Sequence, residues 1–107
     1  MTTKIELGKI EKVEFGFWDG RFGLTFHLNA GGWNVDDFWG GWASRPELVQ
    51  RWSIAEQDQA IAGIWRRLIK IMEEAKVQDF QKLMGKPIEV TTEGMMPKSW
   101  RILTEVI

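Results

Sequence analysis

Few side chains in this 107-residue sequence could do chemistry. His27 is the single histidine, and Asp36-Asp37 is an adjacent carboxylate pair. Neighbouring residues of a strand point to opposite faces, so this pair cannot share a metal or a proton between its own members. Solvated strand residues are the expected role for His27, Asp36 and Asp37. Ser44, Ser53 and Ser99 lie outside any nucleophile-elbow pattern. Asp19, Asp36, Asp37 and Glu14 offer carboxylates without a spacing that pairs two of them across a cleft. Gly31-Gly32 and Gly40-Gly41 are followed by no Gly-Lys-Ser/Thr and by no immediate helix start, so phosphate-loop and dinucleotide fingerprints are absent. The sequence therefore reads as a binding module, with no catalytic residue, metal or cofactor assigned.

Binding chemistry concentrates between Gly31 and Trp42, where three Trp and one Phe alternate with four Gly, one Asn and two Asp. Two readings stand side by side. In one, the rings complete a core and the glycines shape strand ends. In the other, the rings are stacking walls, the glycines admit a ligand to the backbone, and Asn34, Asp36 or Asp37 meets its polar edge. Stacking on an aromatic is worth about 1–3 kcal/mol per base, and an Arg fork on a phosphate adds directional hydrogen bonds. The second reading makes Trp33, Asn34, Trp39 and Trp42 the ligand-binding set, with Arg21 or Arg45 for phosphate. Arg66, Arg67 and Lys70 lie off the apolar stripe of their helix and are followed by Glu73 and Glu74, the pattern of a solvated face, with specific phosphate binding as the lesser reading.

These residues must be held by an α+β domain spanning residues 1–107. Asp19-Gly20 lies between alternating runs and predicts a two-residue hairpin turn. That turn pairs Trp18 with Arg21, Phe17 with Phe22, Phe15 with Leu24 and Val13 with Phe26. The register conflicts at Glu11 opposite Leu28, so a bulge or the end of pairing is expected near there. Ile5 and Leu7 start the same long strand, with Gly8 as a break. Asn29-Ala30-Gly31-Gly32 predicts a turn, and Trp33 to Trp42 a third strand that Gly40-Gly41 ends or kinks. Ala43 to Trp52 reads as a connecting loop.

Ser53 and Glu56 have capping-box spacing. Ile61, Ile64, Trp65, Leu68, Met72 and Ala75 then form a helical stripe, predicting a helix from Ile54 to Ala75. Gly63 costs about 1 kcal/mol there relative to Ala, and close packing on the sheet is its expected reason. Val77, Phe80, Leu83 and Met84 predict a short second helix capped by Gly85. A strand over Ile88–Thr92 follows, then a turn from Glu93-Gly94 through Pro97, then a strand from Trp100 to Val106. The order βββ-α-α-ββ predicts a mainly antiparallel sheet of about five strands with the long helix on one face.

Composition narrows the partners. Fourteen basic and fifteen acidic residues give a net charge of −1, against the basic excess that phosphate-driven nucleic-acid binding requires. No run approaches the roughly 18 apolar residues of a membrane span. The N-terminus has no apolar stretch, so no signal peptide is expected. Absence of Cys removes disulfides and thiolate sites and fits a reducing compartment. Seven Trp and six Phe without a Tyr exceed what a small core needs, so some rings are expected on the surface. A homodimer or higher homo-oligomer is the expected way to cover them.

Val13-Glu14-Phe15-Gly16, the Asp19-Gly20 turn, Gly23-Leu24-Thr25-Phe26 and Phe38-Trp39-Gly40-Gly41 form one pattern. It continues in Leu83-Met84-Gly85-Lys86-Pro87-Ile88-Glu89-Val90 and Lys98-Ser99-Trp100-Arg101-Ile102-Leu103. In this pattern, which covers most of the chain, the sequence resembles small accessory proteins of bacteriophages and prophages. The resemblance contains no catalytic motif and carries over no site residue. It implies the host bacterial cytoplasm and a counter-defence role. That role takes one of two forms: sequestering a nucleotide immune signal, or blocking a host defence protein.

Overall fold

The structure, a computed structural model, describes residues 3–18, 20–42 and 53–106. Strands β1 (Thr3–Trp18), β2 (Arg21–Ala30) and β3 (Trp33–Trp42) precede helix α1 (Ile54–Ala75). A 3₁₀ turn (Phe80–Leu83), strands β4 (Pro87–Glu93) and β5 (Met96–Ile102), and a last 3₁₀ turn (Thr104–Val106) follow. The five strands form one antiparallel sheet in the order β3-β2-β1-β4-β5.

The β1–β2 hairpin has the register that its turn and alternation dictate. Trp18 faces Arg21, Phe17 faces Phe22, Phe15 faces Leu24 and Val13 faces Phe26. Ile10 pairs with Leu28 and Lys12 with His27, so Glu11 is the extra, bulged residue. The bulge keeps both Ile10 and Val13 on the buried face. The turn between β2 and β3 is made by Gly31 and Gly32, both at positive φ (60° and 82°), the geometry that a tight hairpin requires. Gly8 does not break β1. It pairs with both Ala30 and Ile88, and a Cβ there would strike the Asn29 carbonyl oxygen and Ala30. Its role is close strand approach at the centre of the sheet.

Helix α1 starts at a complete capping box. Ser53 Oγ accepts from the Glu56 amide at 3.1 Å, and the Glu56 carboxylate accepts from the Ser53 amide. The helix ends at Lys76 in a left-handed conformation. Leu68, Ile71 and Ala75 are its buried apolar residues, with Ile64 and Met72 partly covered. They pack with Ile10, Val13, Leu24, Phe26, Leu28, Trp39, Leu83, Ile88, Val90 and Ile102 in a single core. Burying each large apolar side chain stabilises the fold by about 1.5–3 kcal/mol.

Three further local expectations change. Gly63 is exposed, and a Cβ there would meet nothing, so it does not serve close packing. The expected second helix is a single 3₁₀ turn. It is capped by Asp79, whose carboxylate accepts from the Gln81 amide. The last strand is Met96–Ile102 rather than Trp100 to Val106, and Pro97 lies within it. Pro97 is tolerated because β5 is an edge strand. Beyond Ile102 the Leu103 amide bonds the Pro87 carbonyl and the chain turns into 3₁₀ geometry.

Candidate ligand groove at the sheet seam

β3 and β5 are the two outer strands of the sheet, yet Asp37 on β3 and Trp100 on β5 touch. The sheet is therefore curled, and α1 lies in its concave side against both edges. Strand alternation sets what each face shows. Asp36 pairs with His27 on the convex face, while Asp37 pairs with Phe26 on the concave one.

On the concave face a single oxygen of Asp37 accepts from two indoles, Trp39 Nε1 at 2.8 Å and Trp100 Nε1 at 2.7 Å. The two Trp rings stack with centroids 6.1 Å apart, and both contact Phe26. The Arg67 guanidinium from α1 lies 3.9 Å above the Trp39 ring centroid, a cation–π arrangement. Among the described residues Arg67 has no ion-pair partner. Beside this cluster a cavity of about 310 Å³ opens between the two edge strands. Val35, Asp37, Arg67, Lys98 and Trp100 are among its walls. Lys98 owes its place to a second bulge: Thr91 pairs with Ser99 and Thr92 with Pro97, leaving Lys98 as the extra residue. Such a bulge re-aims a side chain, and the Lys98 ammonium stands 3.4 Å from Glu93.

One residue pair further along the same face, from Val35 to Trp33 and from Val90 to Thr92, lies a second cavity of about 490 Å³. Its walls are Lys4, Glu6, Trp33, Thr92, Gly94 and Met95. Trp33 Nε1 donates to Glu6 Oε2 at 2.6 Å, and Lys4 stands 3.5 Å from Glu6. The Glu6 side chain is only 17 % exposed, so the carboxylate and the Trp33 indole hold each other in place. Each of the two cavities has a Trp wall and a cation: Trp100 with Arg67 and Lys98 at the first, Trp33 with Lys4 at the second.

The convex face carries a polar ladder. His27 Nε2 is 2.6 Å from Glu14 and its Nδ1 is 2.7 Å from Asp36, linking β1, β2 and β3. A carboxylate only accepts, so each bond needs a proton on the ring nitrogen that faces it. The His27 hydrogen bond, followed by the Lys12 charge, lowers the pKa of Glu14 below its ordinary 4.5. On β5 the Arg101 guanidinium bonds Glu105 and Glu89. The Arg101 hydrogen bond brings Glu105 down to about 2, and the same bonds raise Arg101 further. Among the described residues no three His, Cys, Asp or Glu side chains gather as a metal site.

The residues singled out in the sequence separate. Trp33 lines the second cavity. Trp39 is core, 4 % exposed, with its ring between Phe26, Trp100 and Arg67. Asn34 is exposed on the convex face and accepts from Asn29 at 2.9 Å. Arg21 is exposed at the hairpin end. Trp42 pairs its backbone with Phe22, but its side chain and all of Arg45 lie outside the described residues. Sequence reasoning did not nominate Glu6, Lys98 or Trp100 for binding, and it weighed Arg67 for phosphate only as the lesser reading of a basic run. Arg67 stood in a basic run and Trp100 on an alternating strand, and neither signal names the far strand that each one meets. No family model, no curated protein and no solved structure matches the chain.

Proposed function

We propose that this protein is a non-catalytic binder of a small nucleotide-like ligand, held in the groove along the seam of the curled sheet. One observation carries the reading: two neighbouring cavities are walled by Trp100 and by Trp33, with Arg67 and Lys98 at the first and Lys4 and Glu6 at the second. A flat ring suits the Trp33 wall. Glu6, which can only accept, suits the donor-rich edge of a base or sugar. Arg67, without a carboxylate of its own, suits a phosphate. In the setting implied by the resemblance to phage accessory proteins, such a binder sequesters a nucleotide immune signal in the host cytoplasm. Titration calorimetry against cyclic and ADP-ribose-type nucleotides tests this. Saturable heat with one class supports it, and no heat with any of them overturns it.

A second reading, inhibition of a host defence protein through a surface contact, is favoured by one specific observation. Phe17, Trp18 and Trp65 are exposed near the β1–β2 turn, and exposed aromatics are common interface anchors. A stoichiometric host protein retained in a pull-down, with no small molecule, supports this reading over the first.

A further inference from the structure

The cavity beside Trp100 shares two of its walls with another. This further cavity, of about 240 Å³, opens between α1 and β5. Arg67 and Trp100 line it as they line the first, so the two cavities meet at one guanidinium. Lys70, Glu74 and Arg101 complete its charged lining. Arg67 and Lys70 are three residues apart on α1, a spacing that sets them on one face of the helix. Each cavity therefore has its own lysine, Lys98 in the first and Lys70 in the other, with Arg67 common to both.

These cations differ in what already holds them. Arg101 is committed to Glu89 and Glu105 at 2.8 to 3.3 Å, and Lys98 stands 3.4 Å from Glu93. Among the described residues Arg67 and Lys70 form no ion pair. Glu74, one turn beyond Lys70, is the acid on the walls of this cavity and pairs with neither of them. On the first cavity the Asp37 carboxylate is taken up by the Trp39 and Trp100 indoles. A guanidinium over a ring face gives none of its five N–H donors to the ring. Arg67 therefore keeps a fork of donors for more than one acceptor group. Solvation alone would account for Lys70. It does not account for an arginine set on a Trp face, without a carboxylate, at the junction of two cavities that each bring a lysine.

We infer that the ligand of this site carries two linked phosphoryl groups, one against Lys98 and one against Lys70, with the Arg67 guanidinium between them. The inference rests on the phosphate end of the proposed site but needs no ring in the ligand. Inorganic pyrophosphate is therefore the probe, titrated into the full chain by calorimetry beside orthophosphate. Pyrophosphate is expected to bind at least about tenfold tighter, because it adds a second set of charge-assisted bonds. Lys70→Gln should bring pyrophosphate down to the orthophosphate level. Lys82→Gln removes the same charge from an exposed position outside both cavities. It should leave the difference intact, which separates a seated ligand from general attraction to cations. ADP distinguishes the source of the diphosphate: tighter binding than pyrophosphate marks a nucleoside diphosphate, and equal binding a free one. Equal affinity for orthophosphate and pyrophosphate overturns the inference, as does no heat with pyrophosphate. An advantage that Lys70→Gln and Lys82→Gln reduce alike also overturns it. AMP bound beside a pyrophosphate no tighter than orthophosphate would sink this inference and leave the nucleotide reading standing. Pyrophosphate seated through Lys70 while AMP and ADP give no heat would do the reverse.

Discussion

The indole of Trp100 donates to an Asp37 oxygen 63 residues away in sequence, the same oxygen that accepts from the Trp39 indole. This shared acceptor ties the two outer strands of the sheet to each other where no backbone ladder joins them. Asp37→Ala leaves two indole N–H groups without a partner. A hydrogen bond to a charged group is worth about 1.5–3 kcal/mol, so urea denaturation should show a loss of about 3–6 kcal/mol for the two bonds together. Asp37→Asn keeps one acceptor oxygen and should lose less. Equal stability of all three proteins would mean that the curl is held by α1 alone.

Two glycines predict opposite outcomes for the same substitution. Gly63 sits exposed within α1 with open space where a Cβ would go. Gly63→Ala should stabilise by about 0.5–1 kcal/mol through helix propensity and unfolded-state entropy. At Gly8 the new Cβ meets backbone on the neighbouring strand, which cannot yield as a flexible side chain would. Gly8→Ala should cost about 1–3 kcal/mol. Thermal melts of both variants read the contrast directly.

Those two glycines also show what the sequence can and cannot reveal. Local chemistry was legible wherever partners are near in sequence. The hairpin register followed from Asp19-Gly20 and the alternation around it, the Glu11 bulge from a mismatch in that register, and the helix start from Ser53 and Glu56. The opposite facing of Asp36 and Asp37 was likewise a matter of strand period. The groove was not legible, because it depends on which strand lies beside which. Asp37 meets Trp100, and Trp33 meets Glu6, only after β1 takes the sheet centre and the sheet curls. Thr104 and Val106 continued the alternation of β5 by composition alone. The Leu103–Pro87 bond ends the strand instead. Part of the aromatic excess went where no core requires it: Phe38 lies over Gly23 and Gly40, with Trp18 edge-on to it.

The convex ladder predicts a pH response at Glu14. Its folded pKa is depressed, chiefly by the His27 hydrogen bond and then by Lys12. A depressed acid stabilises the fold above its unfolded value of 4.5, and that contribution is lost as pH falls through the folded value. Carboxyl NMR titration should place Glu14 below 4.5 in the native protein and closer to 4.5 in His27→Gln. Lys12 remains in that variant, so part of the depression should persist. An unchanged Glu14 midpoint would assign the shift to Lys12 instead.

In the proposed reading Trp33 takes the ring and Arg67 with Lys98 takes the phosphate, and variants can address each one. Arg67→Gln removes a guanidinium but leaves Trp39 and Asp37 in place. If Arg67 bonds a phosphate, losing a charge-assisted hydrogen bond of about 1.5–3 kcal/mol weakens a bound nucleotide roughly 10- to 150-fold. The matching nucleoside, which lacks the phosphate, should bind Arg67→Gln and the native chain equally. Lys98→Gln should act in the same direction with a smaller effect, since Lys98 already has Glu93 as a partner. Trp33→Ala should weaken nucleotide and nucleoside alike, because stacking does not depend on the phosphate. Calorimetry of both ligands on the three variants reads this pattern. Equal losses for nucleoside and nucleotide in Arg67→Gln would show that Arg67 supports the Trp39 ring and does not touch the ligand.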